Sequence, residues 1–221
     1  MYRVYRRRRG DRLQVLPALS LKENGIDDIL VVDREEYPGG ILMQCIHNGF
    51  GLHRFKEELT GPEYAERDIR EVLEKNIEML LGSCVVDIIR EGDRHSVIML
   101  SEDKGLIKAE ARAVILAMGC RERNRGNIAI PGSRPAGILT AGFAQKMMNL
   151  FGHPPGREIV ILGSGDIGLI MARRLTWEGS KVRAVIESQA YPGGLNRNIV
   201  QCLNDFDIPL YLSHTISKIS G

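Results

Sequence analysis

Short apolar runs and one amphipathic stripe organise this chain. Ile29–Val32, Glu158–Leu162 and Val182–Ile186 are runs of strand length rich in Val and Ile, and Ala113–Met118 is another that ends on Gly119. Such near-continuous apolar segments are typical of strands covered on both faces. From Met79 to Ala109 shorter alternating segments are separated by Glu91-Gly-Asp and Glu102-Asp-Lys-Gly, which predicts a small β-meander. Pro62 to Asn76 predicts a helix with Ala65, Ile69, Val72 and Leu73 on one face, and a proline near the first turn removes no helical hydrogen bond. A second helical stretch runs to about Glu178, and Gly179 ends it because glycine accepts the left-handed conformation found there. Pro209 to Ile219 predicts a last strand. Arg121–Pro135 is polar loop, and Phe151-Gly-His-Pro-Pro-Gly156 is a linker. The domain boundary is placed at the linker, giving units 1–150 and 151–221.

Two of these strands belong to an internal repeat. Ile29-Leu-Val-Val-Asp33 is followed, four residues after the acid, by Tyr37-Pro-Gly-Gly40. Val182-Arg-Ala-Val-Ile-Glu187 is followed at the same distance by Tyr191-Pro-Gly-Gly194. A duplicated strand, acid and turn points to two copies of one nucleotide-binding plan.

The charge balance changes the picture only at the N-terminus. Of 30 Lys and Arg and 28 Asp and Glu, six arginines and Asp11 lie within residues 1–12, so 24 basic and 27 acidic residues remain. The body is slightly acidic and offers no electrostatic footprint for nucleic acid. Cys45, Cys84, Cys120 and Cys202 are scattered, with no C-x-x-C pair, so no metal site is expected and the chain is expected to be cytoplasmic. No apolar run reaches the ~18 residues of a membrane helix. After the arginines, Leu13–Leu21 is interrupted by Gln14, Pro17 and Ser20, which argues against a twin-arginine export signal.

The second copy of the plan is complete. Gly163-Ser164-Gly165-Asp166-Ile167-Gly168 follows a strand, opens a helix and is succeeded by a strand ending in Glu187. In this fingerprint the first glycine makes the tight turn, the second lets the backbone approach a pyrophosphate, and the third lets helix and strand pack closely. The helix N-terminus adds partial positive charge. Glu187 is expected to accept the adenosine ribose hydroxyls and to repel a 2′-phosphate, which favours NAD over NADP. Asp166 suits the helix dipole but should point away from the phosphates. The alternative is a glycine-rich turn in an α/β domain that binds nothing. Asp33 is expected to play the ribose role in the first copy, the alternative being a polar residue that merely ends a strand. The glycine loop of that copy should fall near residues 7–12, where the chain reads Arg-Arg-Arg-Gly-Asp-Arg. One expectation is that residues 1 to about 17 are a glycine loop translated out of frame. The other is a solvated basic leader.

Gly39–Gly40, Gln44-Cys-Ile-His-Asn-Gly-Phe-Gly51, Leu59-Thr-Gly-Pro-Glu-Tyr64, Ala117-Met-Gly-Cys-Arg-Glu122, Ile161–Gly168 and Arg197-Asn-Ile-Val-Gln-Cys-Leu203 together resemble one family. It is the FAD/NAD(P)-binding pyridine nucleotide–disulfide oxidoreductase superfamily. The nearest branch resembles proteins encoded beside glycerol-metabolism genes and large subunits of amine and amino-acid dehydrogenases. The resemblance runs from about Ala18 to the end. It implies that Asp33 and Gly39–Gly40 hold the FAD adenosine and pyrophosphate. It also implies that Ala117–Met118–Gly119 match an Ala-Thr-Gly turn near the flavin, with Met for Thr, and that Gly163, Gly165, Gly168 and Glu187 hold NAD. Disulfide reductases of this kind carry a cysteine pair after the first Gly–Gly. Here only Cys45 lies nearby, so dithiol chemistry is unsupported. Such families also carry a second FAD-binding strand near the C-terminus, which this sequence is expected to lack.

Outside the cofactor loops, Gln44–Cys45–Ile46–His47–Asn48 is the most chemical-looking cluster. Cys45 as a thiol beside the flavin with His47 as proton relay is one reading. A buried thiol and a loop histidine is the other. The remaining cysteines and His53, His95, His153 and His214 are expected to be structural or exposed. The expected fold is therefore α/β: two Rossmann-like dinucleotide-binding domains (three-layer, mostly parallel sheet) with a small β-meander, both incomplete. Residues 1–150 would bind FAD and 151–221 NAD, with a hydride passing between NAD(H) and flavin. The other reactant would be a small-molecule substrate or a redox partner subunit, in a homo- or hetero-oligomer. The altered first loop predicts poor FAD binding by this chain. A non-catalytic nucleotide-binding or scaffold subunit is the alternative.

Overall fold

The computed structural model describes residues 15–221 and divides the chain into two compact units that part between Gly119 and Cys120. The first begins with α1 (Val15–Glu23) and β1 (Leu30–Val32), followed by a short 3-10 helix (Gly40–Gln44), β2 (Asn48–Phe50) and β3 (Leu59–Thr60). Next come α2 (Gly61–Glu74), β4 (Glu78–Leu80), β5 (Ser83–Glu91), β6 (Arg94–Ser101) and β7 (Gly105–Ala111). β1 pairs in parallel with β4, β2 with β3 antiparallel, and β5–β6–β7 form the expected antiparallel meander.

α2 starts where a capping box makes it start. The Thr60 backbone N–H donates to Glu63 Oε2 at 2.8 Å, and the Thr60 side chain receives the first-turn backbone in return. Its buried face is Tyr64, Ala65, Asp68 and Val72, with Ile69 partly buried. Leu73, expected on that face, is exposed, and Asp68 takes a place within it. The apolar pattern missed Asp68 because its charge is met by Arg54, 2.7 Å away. Val15, Ala18 and Leu19 of α1 are buried against this helix in the core of the unit. The expected out-of-frame segment falls mostly on residues 1–14, outside the described residues. The part at 15–17 is helix, and Val15 is core.

The second unit contains α3 (Ala141–Phe151), β8 (Glu158–Leu162), α4 (Asp166–Trp177), β9 (Lys181–Ile186), α5 (Asn196–Cys202) and β10 (Leu210–Tyr211). Its sheet is parallel, in the order β10-β9-β8. The core joins Leu169, Met171, Ala172 and Leu175 of α4 to Val182 and Val185 of β9, Cys202 and Leu203. Gly179 has φ 85°, as its place after α4 requires.

Three expectations fail here. The units do not part at 150/151, because Ala144 and Met148 of α3 lie in the α4 core and Asn149 accepts from Arg174. The Glu122 carboxylate also accepts the Gly142 N–H at the start of α3, and Ser133 N–H donates to Ile219 O. Second, Ala113–Gly119 is not a strand, and Met118 is 80% exposed. An apolar run records a capacity for burial, but no described strand offers this one a ladder. Third, the strand expected over 209–219 stops at Tyr211. Ser213 turns left-handed, and the N–H groups of Ser213 and His214 bond back to Gln189 O and Glu187 O.

Candidate functional site

The two acids of the repeat stand in matching backbone frames. In the first unit Asp33 N–H donates to Leu80 O, Ser83 N–H to Asp33 O, and Gly82 N–H to Glu35 O. In the second Glu187 N–H donates to Tyr211 O, His214 N–H to Glu187 O, and Ser213 N–H to Gln189 O. In both, the carboxylate accepts the N–H two residues on, from Glu35 at 3.0 Å and from Gln189 at 2.9 Å. The duplication thus extends from sequence to hydrogen bonds, and it places each acid at the end of a parallel strand.

The two carboxyls are shifted in opposite directions. Burial pushes the Asp33 carboxyl up, against the pull of the Glu35 N–H. Burial acts on Glu187 in the same sense, but donors outweigh it and draw its carboxyl down to about 2. Those donors are Gln189 N–H and Ser188 Oγ on one oxygen, and Ser164 N–H at 3.0 Å and Ser164 Oγ at 2.7 Å on the other. Glu187 is therefore an ionised acid fastened to the glycine turn.

The turn itself divides the work of its glycines. Gly163 has φ 104°, and a Cβ on Gly163 or Gly165 would stand in open space. A Cβ on Gly168 would lie 2.7 Å from Gly163 O, so that position is glycine because helix and turn touch. Gly165 is the N-cap of α4, and its N–H meets no acceptor among the described residues. An open glycine backbone with a free N–H, beside an ionised acid, fits the pyrophosphate and ribose of a dinucleotide. Ile167 in the first helical turn is partly exposed. Asp166 turns to the segment after the second Tyr-Pro-Gly-Gly, accepting from Leu195 N–H and Asn198 Nδ2, both at 2.8 Å. Sequence reasoning recognised that segment as a repeat but saw no role for Ser188, Gln189, Gly193 or Asn198. Its match to Gly39–Gly40 was the available signal.

The first unit is less complete as a site. Gly39 and Gly40 both adopt positive φ and open the 3-10 helix, and a Cβ on Gly39 would meet Met43 at 2.8 Å. Ala117, Met118 and Gly119 lie outside any strand. The glycine loop expected near residues 7–12 lies outside the described residues. Cys45 is buried, its thiol donates to Ile41 O at 3.2 Å, and burial pushes it up to about 11. His47 Nδ1 lies 3.0 Å from Asn48 O, which assigns it the proton and leaves Nε2 buried with no hydrogen-bond partner among the described residues. This geometry favours the core role for Cys45, since a thiol held so high is a poor nucleophile at neutral pH.

Among curated proteins the chain is 24% identical over 172 residues to an opine oxidase subunit from Rhizobium meliloti, and that match covers 77% of this chain and 35% of the relative. It is 27% identical over 205 residues to hydrogen cyanide synthase subunit HcnB of Pseudomonas aeruginosa, covering 88% and 40%. The chain thus spans about two fifths or less of the length of these relatives. Among solved structures it resembles bacillithiol disulfide reductase Bdr (YpdA) from Bacillus cereus, with TM-score 0.68 and 16% identity over 91% of this chain and 65% of that one. It also resembles thioredoxin reductase of T. acidophilum, with TM-score 0.60 and 18% identity over 87% and 58%. At these identities the structures speak to the fold, which is α/β and Rossmann-like. With residues 18–221 matched, the chain belongs to the pyridine nucleotide-disulphide oxidoreductase family.

Proposed function

We propose that this chain is the nucleotide-binding part of an FAD- and NAD-linked oxidoreductase. The second unit binds NAD through Gly163–Gly168 and Glu187, and the first binds FAD with Asp33, Gly39, Gly40 and Ala117–Gly119. The observation behind this is the open glycine turn of Gly163 and Gly165 beside the ionised Glu187 carboxylate. When bound, the two cofactors supply hydride transfer between nicotinamide and flavin. The residues of this chain bind and orient. The Gly165 N–H and the start of α4 face the pyrophosphate, and Glu187 accepts the ribose hydroxyls in exchange for one of its serine donors. Its negative charge rejects a 2′-phosphate. The NAD-binding part takes in residues 120–150, because α3 shares the core of α4. A substrate or redox partner subunit completes the reaction, in line with relatives that are named as subunits. Four free cysteines accord with a cytoplasmic setting.

A second reading, a nucleotide-binding or scaffold subunit without its own flavin chemistry, is favoured by Ala117–Gly119 lying exposed outside any strand. One preparation tests both. NADH binding, followed by nicotinamide fluorescence, is expected to exceed NADPH binding, and Glu187→Gln is expected to erode that preference. Equal affinity of the unaltered chain for both nucleotides would refute the assignment of Glu187. Flavin absorbance in the purified protein supports the oxidoreductase, and colourless protein supports the scaffold.

A further inference from the structure

The second Tyr-Pro-Gly-Gly segment has no assigned role, yet the structure ties it directly to the glycine turn. Gly193 N–H donates to Ser164 Oγ at 2.8 Å, and that hydroxyl in turn donates to Glu187 Oε2. Two residues on, Leu195 N–H donates to Asp166, as does Asn198 Nδ2. Residues 193–198 are thus fastened at both Ser164 and Asp166, on either side of Gly165.

The two glycines of this strap face different surroundings. A Cβ on Gly194 would lie 2.6 Å from Leu169 Cδ1, 2.9 Å from Asp166 Oδ1 and 3.0 Å from Ser164 O. Packing alone explains that glycine. A Cβ on Gly193 would meet nothing nearer than 3.9 Å, and its φ is outside the left-handed region. Neither packing nor backbone conformation demands a glycine there. The nearest atoms to that missing Cβ, all at 3.9 Å, are Ser164 O, Ser164 Oγ and Gly165 N, and the N–H of Gly165 has no acceptor among the described residues. A methyl at that distance would share its neighbourhood with any oxygen that the N–H binds.

We propose that the strap 193–198 is the outer wall of the pyrophosphate seat, and that Gly193 is a positioning residue whose missing side chain leaves room for the phosphates. The inference rests on the second unit being the NAD site. It separates two tasks: Glu187 sets the preference between NAD and NADP, whereas Gly193 sets the room for the diphosphate common to both.

The test uses the 221-residue chain with Gly193→Ala and Gly193→Val, read by thermal melting and by fluorescence titration with NADH and NADPH. Both variants are expected to melt like the unaltered chain. The valine variant should bind NADH about tenfold more weakly or worse, with alanine intermediate, as overfilling a close-fitting site does. NADPH should weaken by the same factor, leaving the preference intact, which a change acting through Glu187 would not do. Should valine disturb folding, the alanine variant still decides, because its methyl fits the existing space. Unchanged NADH affinity in folded variants would overturn the wall while leaving the NAD site standing. Absence of NADH binding by the unaltered chain would overturn both.

Discussion

Glu187→Gln tests the energetic link between the acid and the glycine turn. The ionised carboxylate accepts from Ser164 N–H, Ser164 Oγ, Gln189 N–H and Ser188 Oγ, and these bonds hold its carboxyl near 2 instead of its ordinary 4.5. At about 1.4 kcal/mol for each pH unit of that interval, the ionised form stabilises the fold by about 3 kcal/mol. The folded pKa is depressed, so this stability is fully present above the unfolded value. It is lost as pH falls from about 5 through about 2. Glutamine mimics the neutral acid and cannot gain the increment. Urea unfolding at a series of pH values is therefore expected to show the unaltered chain about 3 kcal/mol more stable than the variant at pH 6–7. The gap should close as pH approaches about 2, where the native acid is itself protonated. A gap below about 0.5 kcal/mol at neutral pH, or one that does not vary with pH, would refute the hydrogen-bond frame drawn around Glu187.

Gly168→Ala places a methyl 2.7 Å from Gly163 O and 3.3 Å from Ile161 Cγ2, so it is expected to lower stability by about 1–3 kcal/mol. An unchanged melting temperature would show that the turn and α4 are not in contact there. Cys45 is buried with its thiol near 11, so only about one molecule in ten thousand is thiolate at neutral pH. Iodoacetamide is accordingly expected to modify the exposed Cys84 and Cys120 and to spare Cys45 in the folded chain. Mass spectrometry showing Cys45 labelled as fast as Cys84 would restore a chemical role to it.

What the sequence by itself determined is local. The spacing of Gly163, Gly165 and Gly168 between an apolar run and a helical stretch located β8 and α4. Pro62 and the stripe of Ala65, Ile69 and Val72 located α2, and the repeated acid with Tyr-Pro-Gly-Gly announced the duplicated hydrogen-bonded frames. These signals are legible because strand periodicity, capping and turn chemistry act over a few residues. What only the tertiary structure decided depends on partners far away in the chain. Ala113–Gly119 has the composition of a buried strand, but no described neighbour lends it hydrogen bonds. α3 lies before the Pro-Pro linker, yet its Ala144 and Met148 belong to the core that α4 organises. Asp68 reads as a surface residue until Arg54 is brought against it. Ser164 reaches Glu187 across 23 residues, and Asp166 reaches Leu195 across 29. Those contacts tie the glycine motif to the acid and to the segment 193–198, and they exist only once the parallel strands have set their ends side by side.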